Sequence, residues 1–155
     1  MTITKWNEKV SAILDKHCME ENIRYANTED GVYFANKAGY YAYFLPDYHC
    51  SSASGNPKNE SPMLADIFRS AIDSGVLARD EESGKSGGKL ARHFSNGETE
   101  AYVYEKFLRV FPKNTQYFIS GPTKPVLAGI WENDRLHVIG LVMPYRKTDF
   151  ERISH

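Results

Sequence analysis

Leu136-His137-Val138-Ile139-Gly140-Leu141-Val142-Met143 decides the fold. Apolar side chains fall on both alternating positions of this run. It therefore reads as a strand buried on both faces, central in its sheet. Upstream, Asn133-Asp134 reads as a turn and Val126 to Trp131 as the preceding strand. Gly121-Pro122 turns the chain out of a further strand, Gln116-Tyr117-Phe118-Ile119. Before it, Glu105 to Phe111 reads as a short helix with Phe107, Leu108 and Phe111 inward, stopped by Pro112. Thr99 to Tyr104 alternates as a strand.

The first third has the same order. Ile3, Trp6, Val10, Ile13, Leu14 and His17 repeat at helical spacing, with Thr4 as the expected N-cap. Thr2 and Ile3 read equally as the end of a short strand. Ile23 to Ala26, Val32 to Ala35 and Tyr40 to Leu45 read as three strands, separated by an Asp30-Gly31 hairpin signal and a turn at residues 36–39. Between the thirds, residues 47–60 read as a connection. Ser61 and Pro62 open a helix with Leu64, Ile67, Phe68, Ala71 and Ile72 as its buried stripe and Gly75 as a left-handed stop. Residues 80–89 are polar and glycine-rich and read as a mobile loop, with a further strand at Leu90 to Phe94.

The predicted fold class is α+β, with antiparallel sheets, helices packed on one side, and strand-helix-three-strand units duplicated at residues 2–45 and 99–143. The chain of 155 residues predicts one domain, residues 1–146 with an insertion at 46–98, followed by a polar, loose tail at 147–155. Composition is ordinary, 41% hydrophobic and 25% charged, which excludes wholesale disorder. Net charge is -1, which excludes a uniformly basic DNA-coating protein but leaves room for a local basic patch. No run is apolar and long enough for a membrane helix, and the N-terminus lacks the apolar core of a secretory signal. Cys18 and Cys50 read as reduced thiols, so a cytoplasmic location is expected.

The duplicated unit resembles one domain of the DNA sliding clamp, the ring-shaped polymerase processivity factor. Three stretches carry the likeness. Tyr102-Val103-Tyr104-Glu105-Lys106-Phe107-Leu108 is similar to the family's strand leading into a helix with an aromatic-Leu pair. Gly121-Pro122-Thr123-Lys124-Pro125-Val126 is similar to its turn into the penultimate strand. Ile139 to Arg146 resembles the terminal apolar strand ending in Met-Pro-x-Arg. The chain departs from the family in having room for one such domain rather than three, in the nine residues after Arg146, and in the 46–98 insertion.

That resemblance implies a sheet outside, helices inside and two kinds of partner. Lys5, Lys9 and Lys16 fall within roughly 40° of one another on the first helix, and Lys106, Arg109 and Lys113 lie on or just beyond the short helix. Side by side, these form a basic strip for sequence-independent contact with double-stranded DNA. By position, Leu141, Met143, Pro144, Tyr145 and Arg146 match the family's groove for short linear motifs of polymerase-type proteins; Met suits such a groove because its thioether repacks against varied ligands. One domain cannot encircle DNA, so a homo-oligomeric ring or an accessory that binds clamp partners is implied.

No catalytic residue, metal or cofactor is expected. His17-Cys18 and His49-Cys50 match no zinc spacing, and neighbours on a helix point about 100° apart. Gly84 to Leu90 lacks the first glycine and the Ser/Thr of a phosphate-binding loop. Asp80-Glu81-Glu82 has no apolar surroundings to adapt it for acid–base work. The expected function is non-enzymatic: a DNA-associated or partner-binding module. The alternative is a protein-interaction or small-ligand domain using Tyr33, Tyr40, Tyr41 and Tyr43 as an aromatic surface.

Overall fold

The computed structural model describes residues 2–17, 23–36, 40–46, 61–146 and 150–152. Along the chain run α1 (Ile3–His17), β1 (Ile23–Asn27), β2 (Gly31–Asn36), β3 (Tyr41–Pro46), α2 (Met63–Ser74), β4 (Val76–Leu77), β5 (Asp80–Ser86), β6 (Lys89–Ser95) and β7 (Glu100–Tyr104). A 3-10 turn (Glu105–Phe107), β8 (Gln116–Ile119), β9 (Val126–Glu132), β10 (Arg135–Val142) and β11 (Glu151–Arg152) complete it. The architecture is mixed α+β, mostly strand.

Seven strands form one sheet in the order β1-β2-β3-β10-β9-β8-β4; the other four form a sheet in the order β11-β5-β6-β7. Every pairing is antiparallel. β10 sits mid-sheet as its two apolar faces require, with Leu141 opposite Ala42 on β3 and Leu127 on β9. The two three-stranded runs that meet where β3 pairs with β10, β1-β2-β3 and β10-β9-β8, come from the first and last thirds of the chain.

Alternation along the strands makes two cores. Val32, Phe34, Tyr43, Leu45, Val126, Ala128 and Ile130 face one side, with Trp6 and Val10 of α1 and with Phe94, Ala101 and Val103 of the smaller sheet. Ala35, Ala42, Leu127 and Leu141 face the other, under Leu64, Phe68 and Ala71 of α2. The two α-helices therefore cover opposite faces of the large sheet. The expected one-sided helix layer is corrected for α2, while α1 and the segment 105–111 do share a face. A register shift between Val138 and Gly140 turns both Ile139 and Gly140 toward the α1 side. There an ideal Cβ on Gly140 would stand 2.6 Å from Phe111 Cε1, so only glycine admits that ring.

Local chemistry corrects several expectations. Thr2, not Thr4, caps α1: its hydroxyl accepts from the Lys5 amide at 3.2 Å, and Glu132 Oε2 accepts from the Ile3 amide at 2.8 Å. The N-cap of α2 is Pro62 rather than Ser61, so the position has no side-chain cap. The α2 stripe narrows to Leu64, Phe68 and Ala71, leaving Ile67 and Ile72 exposed. Gly75 is extended, at φ -71, rather than left-handed. Segment 105–111 forms one 3-10 turn followed by irregular turns, not an α-helix. The expected loop at 80–89 is instead the β5–β6 hairpin, turned at Gly87 and Gly88 with φ of 56 and 80. Part of the tail is not loose either, since Glu151 and Arg152 pair with Lys85 and Gly84. Asn133 and Asp134 do form the expected turn, both left-handed.

Candidate interaction surface

β10 ends at Val142, and the next residues cross from one sheet to the other. The Met143 amide donates to the Tyr40 carbonyl at 2.9 Å, and the Tyr145 amide to the Tyr102 carbonyl at 2.9 Å. Tyr145 then bridges to the outer edge of β7, its ring stacked on Tyr104 with centroids 4.3 Å apart. Pro144 between them has no N–H to donate. Met143 is left at the mouth, 37% exposed.

Three cavities meet at Met143. One of about 480 Å³ is walled by Tyr40, Tyr104, Phe107, Pro144 and Tyr145, with Lys89 and Lys106 at its rim. A second of about 420 Å³ runs along α2, past Met63, Ile67 and Ala71 to Lys124 and Pro125, and includes Asp66. A smaller one of about 140 Å³ lies between Leu64 and Ile67 on α2 and Ala42, Leu141 and Arg24 on the sheet. Exposed apolar side chains surround this junction, with Met63 at 68% and Ile67 at 41%.

Four of the expected groove residues, Leu141, Met143, Pro144 and Tyr145, line these cavities. Leu141 is a buried wall rather than a contact surface. Arg146 is exposed beyond the Tyr145 bridge and is not among the lining residues of the three. The walls that sequence reading did not assign to a groove are Lys89 and Tyr104 of the smaller sheet, Met63 and Ile67 on α2, and Tyr40 before β3, which it placed in the alternative aromatic surface. Alternation of Tyr102 and Tyr104 along β7 was the one available signal, since it puts both rings on one face.

The expected basic strip is only partly assembled. α1 and segment 105–111 pack side by side, with Lys9 Nζ donating to the Val110 carbonyl at 2.8 Å. Lys5, Arg109 and Lys113 are exposed. Lys106 is drawn to the aromatic cavity, its Nζ 5.0 Å from the Phe107 ring centre and 5.8 Å from that of Tyr104. The Lys16 side chain lies outside the described residues.

The aromatic surface expected as the alternative is mostly core. Tyr43 is buried, Tyr33 packs against Phe44 and Phe68, and Tyr41 is half-buried. Burial raises the Tyr43 hydroxyl well above the ordinary tyrosine range, with Tyr41 adding to it; burial does the same to Tyr117. Only Tyr40 stays open, stacked on Phe107 at 5.4 Å.

The carboxylates at 80–82 sit on β5, and two of them pair with neighbouring side chains. Glu81 Oε1 takes Arg92 Nη1 at 2.7 Å, while Arg92 also pairs with Glu105. His93 lies between Glu82 and Glu100, its ring stacked on Tyr102 at 4.4 Å and next to Phe150 at 5.8 Å. Among the described residues no group of three or more His, Cys, Asp or Glu could hold a metal. Cys18, His49 and Cys50, and the His17 side chain, lie outside those residues. No described helix is long and apolar enough to cross a membrane.

Comparison of the chain with protein-family models, with curated proteins and with solved structures finds no match.

Proposed function

We propose that the chain is a non-enzymatic partner-binding module, kin to one domain of a DNA sliding clamp. It docks a short apolar segment of a polymerase-type protein at Met143. One observation carries this reading: three cavities converge on a single exposed methionine, with apolar walls from α2, β10 and the aromatic cluster. A flexible thioether at such a junction adapts to the side chains of a bound segment. Association with double-stranded DNA through Lys5, Arg109 and Lys113 is the second arm, and assembly of copies into a ring is the route by which one domain would surround a duplex. An accessory that competes for clamp partners uses the same groove without a ring.

Selection from a random library of short displayed peptides tests the groove, with Met143→Glu protein as the counter-selection. The expected result is a set of sequences rich in leucine, methionine or phenylalanine that bind about tenfold or more weakly to Met143→Glu. Because Met143 is exposed, that variant keeps its fold. A selection that returns no Met143-dependent sequence overturns the reading.

A further inference from the structure

We propose that the cavity at Tyr104 is an anion-recognising subsite, and that it makes the groove select peptide segments with a carboxylate side chain next to the apolar residue docked at Met143. The inference rests on the groove reading and adds a charge rule to it.

Lys89 and Lys106 reach the same aromatic ring from different elements. Lys89 opens β6, held there by the tight Gly87–Gly88 hairpin, and Lys106 lies in the 3-10 turn after β7. Their Nζ atoms stand 5.4 and 5.8 Å from the centre of Tyr104. Among the described residues no Asp or Glu lines this cavity, and neither lysine is in an ion pair. Both ammonium groups are exposed, and together they make the surface around this one ring positive. A carboxylate docking beside that ring is attracted by both charges, with the modest strength of an exposed ion pair.

The occupant is a peptide rather than a nucleic-acid strand because of what lies on the far side of Met143. The α2 cavity offers Met63, Ile67 and Pro125 and carries one carboxylate, Asp66, which pairs with Arg69 at 3.5 Å, and one ammonium group, Lys124. A run of phosphates gains nothing there, whereas an aliphatic side chain does. Cationic and aromatic at one end, apolar at the other, the groove fits one acidic and one apolar side chain on an extended segment. It also fixes the segment's direction, with the acid toward Tyr104.

Peptides selected on the wild-type protein read this directly. Sequences that depend on Met143 are expected to carry an excess of Asp and Glu over the starting library. For one such peptide, Lys89→Ala and Lys106→Ala should each weaken binding about threefold to fivefold. Lys89→Arg and Lys106→Arg should retain it, and added salt should erase the difference. A counterpart peptide with Asn for Asp should be insensitive to all four variants. Met143-dependent sequences without an acidic excess overturn the subsite and leave the groove standing; no Met143-dependent sequence removes both. Oligothymidylate that binds through the same two lysines and displaces the peptide also overturns the proposal, in favour of single-stranded nucleic acid.

Discussion

The indole of Trp6 lies on the ring of Phe111, centroids 5.6 Å apart and planes 19° from parallel. Tyr43 meets both rings edge-on at 5.9 Å, and the indole Nε1 donates to the Phe44 carbonyl at 3.2 Å. One fully buried side chain thus ties α1, β3 and the segment after β7 together, and sets α1 beside the residues that carry Lys106 and Arg109. Trp6→Ala is expected to cost about 3–5 kcal/mol, the range for emptying a buried aromatic site. Trp6→Phe should cost less, about 1–3 kcal/mol, because it keeps a ring but strands the Phe44 carbonyl. Urea denaturation gives both values. If Trp6→Ala lowers the midpoint no more than Trp6→Phe does, the stack is not what holds the helix.

Alkaline stability follows from buried hydroxyls. Burial raises the Tyr43 and Tyr117 hydroxyls in the folded protein, whereas an unfolded tyrosine loses its proton near pH 10. Below that pH both states hold these protons, and the two groups add no pH dependence. Above it the unfolded chain binds fewer protons, so stability falls as pH rises. Tyr43→Phe and Tyr117→Phe should each flatten the decline of denaturation free energy above about pH 10. Their slopes near neutrality should match the wild type. An undiminished alkaline decline in the double variant would place its source elsewhere.

Much of this fold is legible residue by residue, and the gaps share one cause. α1 is visible because Trp6 and Val10 fall on one helical stripe, and β10 because its residues are apolar on both faces. β5 is invisible because Asp80 to Ser86 has no apolar alternation. What holds it is pairing with β6 across the Gly87–Gly88 turn and, from far along the chain, Phe150 laid over Gly84 and Tyr102. In segment 105–111 the inward spacing of Leu108 and Phe111 is right, yet the chain meets it with turns rather than a helix. Met143 was reachable through the terminal-strand resemblance. Lys89 was not, because the aromatic cavity joins residues from β6, β7 and the ends of β3 and β10, and no spacing in sequence encodes that meeting.

Duplex association is a separate arm with its own signature. Binding to a mixed-sequence duplex should weaken with salt, with a log–log slope of about -0.9 for each phosphate neutralised. Lys5→Glu, Arg109→Glu and Lys113→Glu should lower both affinity and slope. Lys9→Ala acts through structure as well, since its ammonium group holds the Val110 carbonyl. Electrophoretic shift assays at several salt concentrations measure this. A salt-independent interaction, or one the triple variant leaves intact, removes the DNA arm without touching the groove.

The tail offers the sharpest local test. An ideal Cβ on Gly84 would lie 2.4 Å from the Glu151 carbonyl oxygen and 2.5 Å from Phe150 Cζ. Any side chain there must push β11 off β5. Gly84→Val should therefore expose the amides of Glu151 and Arg152 to rapid hydrogen exchange, while the large sheet keeps its protection. The global cost should stay near 1–2 kcal/mol, about that of an ordinary surface-proximal substitution, because Phe150 packs on His93 and Tyr102 rather than in either main core. β5 then becomes a free edge, and Asp80, Glu81, Glu82 and Lys85 guard it against pairing between molecules, as charged edge residues do. The Tyr145–Tyr104 stack should survive, because the Tyr145 amide is anchored on Tyr102 independently of β11. Peptide binding at Met143 is accordingly expected to be unchanged in Gly84→Val. A loss of binding together with unchanged exchange at residues 150–152 would contradict both halves of that argument.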